Sequence, residues 1–459
     1  MIKITAKEFA RVVNGEINGI DEEEVLNYLP TINSKHSTYG TFFVAFEGEN
    51  FDGHDFVFEA ISNGAAFALV SKKVDAPSII VTNTGNALLE LAKFVRSKIS
   101  DLNVVAITGS HGKTTSKELL ASILSLNGET VSTEGNLNTD IGVPLTILRC
   151  TESTKYCILE MGARHQGDIL KLTQVAAPNV GVVLVVGTAH VGEFGSIEKT
   201  SATKRELILG LGAGAIAVLG SYDPWTPNMA NGLSLKKILF GDGHEVRAAN
   251  IELHGGYAHF ELVTPNGRNP VSLQVVGEQQ IPNALAAASA AFALGISNES
   301  IAMGLTIAKL QSKWRMQIEE LNGLKIINDF YNANPESMKA AIKTLVLLSQ
   351  ESGGSAWAVL GKMHELGDLE RSAHIGVTNF CQELGVDHLV SFGTDLYTLE
   401  QAQNKELHLQ LHHCKSIEEF LLLVEHVSAG DVFLLKASRA EKFEQLADEL
   451  KVKWIGDNS

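Results

Sequence analysis

The sequence predicts an α/β protein of three domains: a small N-terminal α/β domain, a central domain with a parallel sheet and a P-loop-like motif, and a C-terminal Rossmann-like α/β domain. Three observations support this prediction. The chain has 459 residues, enough for about two to four domains. Continuous apolar runs such as "NVVAIT" and "NVGVVLVVG" alternate with helix-like stretches, which is typical of parallel strands buried on both faces. A glycine-rich turn follows the first of these runs.

Residues 1–102 are predicted to form the first domain. The short apolar runs "TFFVAF", "AAFALV" and "SIIVT" are each followed by Gly, Asn or Asp, as expected of strands separated by turns. Residues 87–99 have the periodicity of an amphipathic helix, which leads out of this domain.

Residues 103–312 are predicted to form the central domain and residues 313–459 the third. Within the central domain, residues 246–276 are interpreted as strand, turn, strand, an antiparallel insertion with its turn at "TPNGRNP". Residues 284–296 are predicted to form a buried, alanine-rich helix. In the third domain "LNGL" predicts a hairpin. The runs "AWAVLG", "HLVSFG" and "DVFLLKAS", separated by helices, then predict a doubly wound sheet.

The composition argues against several classes of protein. A net charge of −16 repels a phosphate backbone, so we expect no nucleic-acid partner. The sequence shows neither a signal peptide nor a membrane span, so we expect a cytoplasmic protein without membrane insertion. The four cysteines form no C-x-x-C pair, which suits a reducing cytosol. The cluster His412-His413-Cys414 is interpreted as surface residues, because no second ligand pair has matching spacing.

The stretch "ITGSHGKTTS" has the features of a phosphate-binding loop between a strand and a helix. Backbone N–H groups at such a turn face the anion, and Lys113 adds a positive charge. Thr114 offers its hydroxyl to Mg²⁺. The general pattern G-x-x-x-x-G-K-[ST] is not met, because Ile107 stands at the first glycine position and the glycines are Gly109 and Gly112. The alternative is a glycine turn that only ends the strand.

Three further candidates follow the central apolar runs. Glu160 ends "KYCILE", where a buried carboxylate is costly unless it is paired or metal-bound. Because ligands gather at the carboxyl ends of parallel strands, we expect Glu160 to bind Mg²⁺. The alternative is a glutamate that faces solvent. His190 follows the next run and is expected at the same edge in a metal-linked role. Lys204 lies in the helical stretch "SATKREL", where spacing alone indicates a solvated surface group.

Polar residues also mark the junction with the third domain. Asn283 stands near the start of the alanine-rich helix, where capping is the ordinary role and ligand contact the alternative. Arg315 in "KWRMQ" lies beside the domain boundary. The stretch "NDFYNANPESM" brings Asp329, Tyr331 and Asn332 before a helix. It carries more hydrogen-bonding groups than a plain turn needs, although Asn-Pro turns are common.

These motifs resemble, in order, those of the Mur ligases, and the resemblance covers most of the chain. The matching segments are "TGSHGKTTSKE", "EGNLNTDIGVPLTIL", "LEMGARHQGDI", "AHVGEFGS", "ATKREL", "NALAA", "RM", "NDFYNANPESM", "VLGKMHELG" and "LLKASR". The segment "NSKHSTYGTFFVAFEGENFDGHDF" resembles the family's uridine-nucleotide-binding segment, with Asn33 and Lys35 where Asp and Arg are usual. Lysine lacks the planar bidentate donor of arginine. The other departures from the family pattern are Gln279, Gln280, Trp314 and Ala437.

The resemblance implies an ATP- and Mg²⁺-dependent amide ligase of peptidoglycan precursor synthesis. In this reaction ATP converts the terminal carboxylate of UDP-N-acetylmuramoyl-tripeptide into an acyl phosphate, which the amine of D-alanyl-D-alanine attacks. Residues 1–102 would bind the UDP substrate, 103–312 ATP, and 313–459 ATP and D-alanyl-D-alanine. The third peptide residue stays open between diaminopimelate and lysine, and we expect a monomer.

The resemblance also implies the roles of individual residues. The catalytic residues would be Lys113, His190 and Lys204. ATP binding falls to Gly109, Ser110, His111, Gly112, Lys113, Thr114, Thr115, Asn283, Arg315 and Asp329. Substrate binding falls to Ser34, Lys35, Asn136, Asn138 and Thr139. The Mg²⁺ ligands are Thr114, Glu160, His190 and Lys204, the last as a carbamate made from CO₂.

Two alternatives stay open. Another Mur-type or folylpolyglutamate-type amide ligase would share the central domain but differ in its first hundred residues. A nucleotide-regulated binding protein that hydrolyses ATP slowly would carry the same loop without making a bond. ATP turnover that requires both a UDP-muramyl peptide and D-alanyl-D-alanine separates these functions.

Overall fold

The computed structural model describes residues 1–48, 51–188, 194–398 and 409–457. These residues form three α/β units, each with its own sheet, and the central unit carries an additional antiparallel sheet. The predicted fold class is therefore confirmed.

The N-terminal domain contains a five-stranded sheet, a two-stranded ribbon and three helices. Its strands are β1 (Ile4–Thr5), β2 (Glu16–Asn18), β3 (Val25–Leu26), β4 (Leu29–Thr31), β5 (Thr41–Val44), β6 (Ala68–Val70) and β7 (Ser78–Ile80). Its helices are α1 (Ala6–Val13), α2 (Val57–Ser62) and α3 (Thr84–Lys98). The sheet order is β2-β7-β6-β5-β4, antiparallel only at β2. Helix α3 begins earlier than predicted because the Asn83 side chain accepts a hydrogen bond from the N–H of Asn86 (2.8 Å) and caps it.

The central domain is built on a six-stranded parallel sheet of order β13-β12-β11-β8-β10-β9. Its strands are β8 (Asn103–Thr108), β9 (Thr130–Ser132), β10 (Tyr156–Glu160), β11 (Val180–Val183), β12 (Ile216–Gly220) and β13 (Lys236–Phe240). Its helices are α4 (Lys113–Ser125), α5 (Gly142–Ile147), α6 (Asp168–Ala176), α7 (Ile197–Leu209), α8 (Gln280–Ala293) and α9 (Asn298–Ile307). Val104 and Ala106 of β8 pack into one core, and Val105 and Ile107 into the other. This two-sided burial explains the continuous apolar runs.

The antiparallel insertion has one strand more than the sequence predicts. Its strands are β14 (Arg247–His254), β15 (Tyr257–Thr264) and β16 (Gly267–Val276), in that order. The turn between β15 and β16 lies at the predicted "TPNG". The turn between β14 and β15 is made by Gly255 and Gly256, whose φ angles are 59° and 77°. Glycine adopts these left-handed angles without a steric penalty.

The C-terminal domain has a second six-stranded sheet, of order β17-β18-β22-β19-β20-β21. Its strands are β17 (Gln317–Leu321), β18 (Leu324–Asn328), β19 (Ala356–Leu360), β20 (His388–Phe392), β21 (Gln410–Cys414) and β22 (Val432–Lys436). Its helices are α10 (Pro335–Ser352), α11 (Glu370–Leu384), α12 (Ile417–Leu423) and α13 (Glu444–Asp457). Strands β17 and β18 form the predicted hairpin, and the other pairs are parallel.

The three domains are joined in different ways. Helix α3 of the first domain packs on α5 and α6 of the second, and one continuous apolar core includes residues from both. The second and third domains are connected by a linker that polar contacts fix. The carboxylate of Glu118, on α4, accepts hydrogen bonds from the N–H of Gln311 (2.7 Å), the N–H of Ser312 (3.3 Å) and the hydroxyl of Ser312.

The cysteines lie inside the protein. Cys150, Cys157, Cys381 and Cys414 are all buried and none forms a disulfide. In the cluster His412-His413-Cys414, the interpretation as surface residues was therefore wrong for Cys414 and holds only for His413, since His412 is half-buried. Burial raises the pKa of Cys381 to about 12, so this thiol stays protonated at neutral pH. Within the described ranges, no helix has the length and hydropathy needed to cross a membrane.

Candidate active site

The predicted phosphate loop connects β8 to α4. Gly112 has φ of 81° and directly precedes the helix. A Cβ atom there would lie 2.2 Å from Oδ1 of Asn283, so the loop needs glycine for both backbone angle and space. The Lys113 ammonium donates to the carbonyl of Gly109 (2.8 Å). Since the first N–H groups of a helix have no partner within it, this end of α4 is suited to an anion.

Burial changes the protonation of the basic groups around this loop. Burial is the largest cause of the lowered pKa of Lys113. The negative charge of Glu160 raises this pKa, and the positive charge of Arg315 lowers it further. Burial also lowers the pKa of His111. Positive charge at this position is therefore destabilised until an anion binds.

Glu160 ends β10 and is 2% exposed, so the alternative of a solvent-facing glutamate was wrong. Its carboxylate accepts hydrogen bonds from the hydroxyl of Thr114 and the amide of Asn138, each at 2.9 Å. Its backbone N–H donates to the hydroxyl of Thr133 (3.1 Å). The Thr114 hydroxyl and the Glu160 carboxylate together offer the oxygen donors that a hard cation prefers.

Lys204 is buried on α7, with 6% of its surface exposed. Its interpretation as a solvated surface group was therefore wrong. Burial, and secondarily the charge of Lys113, lowers the pKa of Lys204 to about 7. At neutral pH a large fraction of this amine is uncharged and nucleophilic. His190, the remaining predicted metal ligand, lies outside the described residues.

Asn283 lies in the first turn of α8 and does not cap it, contrary to the ordinary expectation. Its amide donates to the Gln280 side chain (2.9 Å) and to the Gln279 carbonyl (3.3 Å), and its oxygen faces Gly112. The two glutamines that depart from the family pattern thus orient Asn283 toward the loop.

The C-terminal domain contributes two of the predicted ATP-binding side chains. The Arg315 guanidinium lies 4.1 Å above the centre of the Tyr331 ring, and its Nε is buried without a hydrogen-bond partner among the described residues. Asp329 forms an ion pair of 2.6 Å with buried Lys436 and accepts the N–H of Met316 at 3.1 Å. The contact with Met316 fixes the backbone after Arg315, and the carbonyl of Trp314, which accepts the N–H of Tyr331 (3.2 Å), fixes it before Arg315.

Except for Lys204, which does not line it, these groups surround one cavity of about 360 Å³ between the second and third domains. Its lining includes most of the predicted site: Ser110, His111, Gly112, Lys113, Thr114, Thr115, Asn136, Asn138, Glu160, Asn283, Arg315 and Asp329. Gly109 is adjacent through its carbonyl. Thr139 does not line this cavity; its carbonyl accepts the N–H of Val143 at the start of α5.

A second cleft, of about 870 Å³, lies between the first and second domains. Ser34 and Lys35 line it together with Phe46, Phe51 and Arg149. The Ser34 hydroxyl donates to Glu59 (2.6 Å), so Ser34 also supports the wall of the cleft. The structure therefore places the two predicted residues of the first domain in a cleft, but not in the cavity with the phosphate loop.

Asp52 and His54 of "FDGHDF" form a cluster with Glu47, which lies just before this stretch. Glu47, Asp52 and His54 lie close enough to bind a metal ion. However, the Lys72 ammonium lies 2.8 Å from Glu47 and 2.6 Å from Asp52. Nε2 of His54 accepts the N–H of Ser71 (2.9 Å), so Nδ1 carries the proton and donates to Asp52 (2.6 Å). This cluster is a hydrogen-bonded support, not a metal site.

The comparisons with known proteins agree with this architecture. Residues 107–291 match the Mur ligase middle domain, and residues 314–439 match the Mur ligase glutamate ligase domain. The chain belongs to the Mur ligase family, as the motifs predicted.

Individual relatives match over nearly the full length. The UDP-N-acetylmuramoyl-tripeptide–D-alanyl-D-alanine ligase of Escherichia coli K12 is 34% identical, with 98% of this chain and 99% of the relative covered. A crystal structure of MurF from Acinetobacter baumannii has a TM-score of 0.88 at 33% identity, covering 98% of this chain and 99% of that one. The MurF ligase of Thermotoga maritima in complex with ADP has a TM-score of 0.80 at 30% identity, covering 93% and 98%.

Sequence reasoning did not assign roles to several residues of the site. Lys436 is 1% exposed and binds Asp329 and the carbonyl of Asn332 (2.9 Å). The sequence contains a pattern that could have indicated Lys436 as a site residue, because Lys436 ends the apolar run "VFLLK" just as Glu160 ends "YCILE". Glu336 also lines the cavity. No local sequence pattern marks it, because the residue that it contacts, Thr188, lies in the second domain.

Proposed function

We propose that this protein is an ATP-dependent amide ligase that joins D-alanyl-D-alanine to UDP-N-acetylmuramoyl-tripeptide in peptidoglycan precursor synthesis, with release of ADP and phosphate. The observation that carries this proposal is the single cavity where the phosphate loop and Glu160 meet Arg315 and Asp329 of the third domain. Full-length similarity to ligases of this name supports the choice of substrates.

The cavity fits a nucleotide triphosphate. Lys113 and Arg315 line it, and the unpartnered Nε of Arg315 is a donor that is costly to bury without an acceptor. Phosphate oxygens are strong acceptors for such groups. We assign the phosphates to the loop from Gly109 to Thr115 and to Arg315. Asn283 and Asp329 take the adenine and ribose end.

The same cavity fits Mg²⁺. Thr114 and Glu160 supply a hydroxyl and a carboxylate already oriented by Asn138. When bound, the ion would offset the negative charge of the phosphate oxygens. His190 stays a predicted ligand.

The protein's own part in the reaction is positioning and charge stabilisation. The peptide carboxylate must first become an acyl phosphate, because a free carboxylate is a poor acylating agent. Lys113 stabilises the charge that develops on the transferred phosphoryl group, and closure of the third domain excludes water from the acyl phosphate. The amine of D-alanyl-D-alanine then forms the amide bond, and phosphate leaves.

We propose that Lys204 reacts with CO₂. Its pKa of about 7 leaves enough neutral amine for the attack. A bond forms between Nζ and the carbon of CO₂, one proton leaves to solvent, and the product is a carbamate anion. Its oxygens suit Mg²⁺, whereas an ammonium at this buried position repels a cation.

The cleft between the first two domains is assigned to the uridine nucleotide end of the substrate. Ser34 and Lys35 line this cleft. Asn136 and Asn138 line the nucleotide cavity, and Thr139 belongs to the same loop of the chain. We assign these three residues to the muramyl part, which would connect the two sites.

The test is phosphate release and product mass, measured with ATP and Mg²⁺ while each organic substrate is omitted in turn. We expect turnover only when both UDP-N-acetylmuramoyl-tripeptide and D-alanyl-D-alanine are present. Slow hydrolysis that neither compound stimulates would support the nucleotide-regulated binding protein instead. Stimulation by glutamate and a folate would support a folylpolyglutamate-type ligase.

A further inference from the structure

A carboxylate of the third domain binds the second domain beside the nucleotide cavity. Glu336, in the first turn of α10, accepts the N–H of Thr188 at 3.0 Å. The Thr188 hydroxyl lies 2.8 Å from one carboxylate oxygen and 2.9 Å from the other. These contacts join a helix of the third domain to a loop of the second, so they constrain how the third domain sits on the second.

The segment that Glu336 binds is also bound by the phosphate loop. The N–H of Gly187 donates to the hydroxyl of Ser110 (2.8 Å), and the N–H of Ser110 donates to the carbonyl of Val185 (2.9 Å). From another side, Asp223 accepts the N–H of Val186 (2.9 Å). A short chain of hydrogen bonds therefore connects α10 to the loop, through a segment held by both.

The position of α10 matters because the segment just before this helix faces the nucleotide cavity. Arg315 and Asp329 belong to the third domain, and both line the cavity together with Glu336. Their distance from the phosphate loop depends on the orientation of the whole domain. A contact that fixes this orientation sets the fraction of molecules that are ready to bind the nucleotide.

We propose that Glu336 is a positioning residue: by binding Thr188, it holds the third domain where Arg315 and Asp329 face the phosphate loop. This inference rests on the proposed function, because it assumes that the cavity binds ATP. When the binding-competent arrangement is populated less, the apparent affinity falls in proportion.

Helix α10 also supplies a matched control. Glu351, near its other end, is exposed and accepts the N–H of Gly255 of the second domain (3.3 Å). It lies outside the lining of the nucleotide cavity. Glu351→Ala therefore removes a glutamate from the same helix, and a contact with the same domain, without touching the segment bound to the phosphate loop.

The experiment compares Glu336→Ala, Glu336→Gln, Thr188→Val and Glu351→Ala in steady-state ligation and in calorimetric titration with ADP. For Glu336→Ala we expect KM for ATP and Kd for ADP to rise about tenfold, while kcat falls less than about threefold. Thr188→Val removes the hydroxyl contacts but keeps the backbone N–H, so it should reproduce part of this change, and the double variant should be no worse than Glu336→Ala. Glu336→Gln keeps an oxygen acceptor and should lie nearer the wild type. Glu351→Ala should match the wild type.

Three results would overturn the proposal. If Thr188→Val is silent while Glu336→Ala is impaired, Glu336 contacts the nucleotide directly. If Glu351→Ala is as impaired as Glu336→Ala, any lost contact along α10 has the same effect. If kcat and the melting temperature fall together with KM unchanged, the residue only stabilises the fold.

A nucleotide-free measurement separates this inference from the proposed function. Spin labels on Gln174→Cys and Gln350→Cys, both at exposed positions, report the distance between the second and third domains. We expect Glu336→Ala to broaden the distribution of this distance, whereas Glu351→Ala leaves it narrow. An unchanged distribution in Glu336→Ala refutes the positioning role. Broadening in a protein whose wild type binds neither ATP nor ADP supports the positioning role and refutes the proposed function.

Discussion

Replacing the buried Lys204 by methionine should stabilise the ligand-free protein while abolishing ligation. The pKa of this lysine is about 7 in the folded state, whereas an unfolded chain titrates it near 10.4. Between these values the unfolded chain binds the extra proton, so the unfolding free energy of the wild type rises with pH. Below pH 7 the destabilisation is complete, and it disappears as the pH passes 10.4.

The magnitude follows from this difference in pKa. The unfolding free energy should rise by up to about 1.4 kcal/mol per pH unit, and the penalty at pH 7 has an upper limit of about 4 kcal/mol. If relaxation of the site halves this penalty, Lys204→Met gains about 2 kcal/mol, or roughly 3 °C in the melting temperature of a cooperative unit of about 300 residues. Methionine fits because it has a similar length and no charge to bury.

The assay is scanning calorimetry of ligand-free protein in CO₂-depleted buffer from pH 7 to 9.5. The matched control is Lys199→Met, an exposed lysine on the same helix, for which we expect no pH-dependent difference from the wild type. The gap between Lys204→Met and the wild type should shrink steadily as the pH rises. A gap that stays constant, or a wild type more stable than Lys204→Met at pH 7, would refute the reasoning.

Three other predictions test the site. Lys113→Ala should reduce turnover by about 10²-fold while the protein remains folded; near-normal ligation by the folded variant would rule out the phosphate loop. Gly112→Ala places a Cβ 2.2 Å from Asn283 and should weaken ADP binding at least about tenfold in titration calorimetry, whereas Gly212→Ala, with open space around it, should not. Lys204→Ala should be nearly inactive, and formate or acetate should partly restore turnover by taking the carbamate's position; an active variant would contradict the carbamate.

Local patterns are enough to predict the loop and the sheet edge proposed to bind the metal. Neighbouring residues are enough to predict the succession of a strand, a glycine turn and a helix. The carboxyl ends of parallel strands then lie at a common edge of the sheet. Lys113, Thr114 and Glu160 can therefore be grouped from the amino-acid sequence alone. The hairpin at "LNGL" can likewise be predicted from neighbouring residues alone.

Other features depend on what packs from elsewhere in the chain. The burial of Lys204 and the orientation of Asn283 come from contacts between elements far apart in sequence, which periodicity does not encode. Trp314 is a further case. It stands where the family often has glycine and has a φ angle of 59°. Packing on Phe330 (5.3 Å between ring centres) and under the Arg439 guanidinium (4.6 Å) offsets this strain.

The apolar core shared by the first two domains makes them one cooperative unit of folding. Residues 1–102 bury side chains such as Leu88 and Leu91 in the same core as Leu145 and Leu172 of the central domain. A truncation after residue 102 would leave that half of the core open to water, and neither fragment would keep its native stability. The third domain has a core of its own that includes Val276 of the central domain, with Tyr257 packed against it, so it is coupled to the second domain less strongly. The proposed boundary between substrate binding and nucleotide binding therefore does not coincide with a boundary between two folding units.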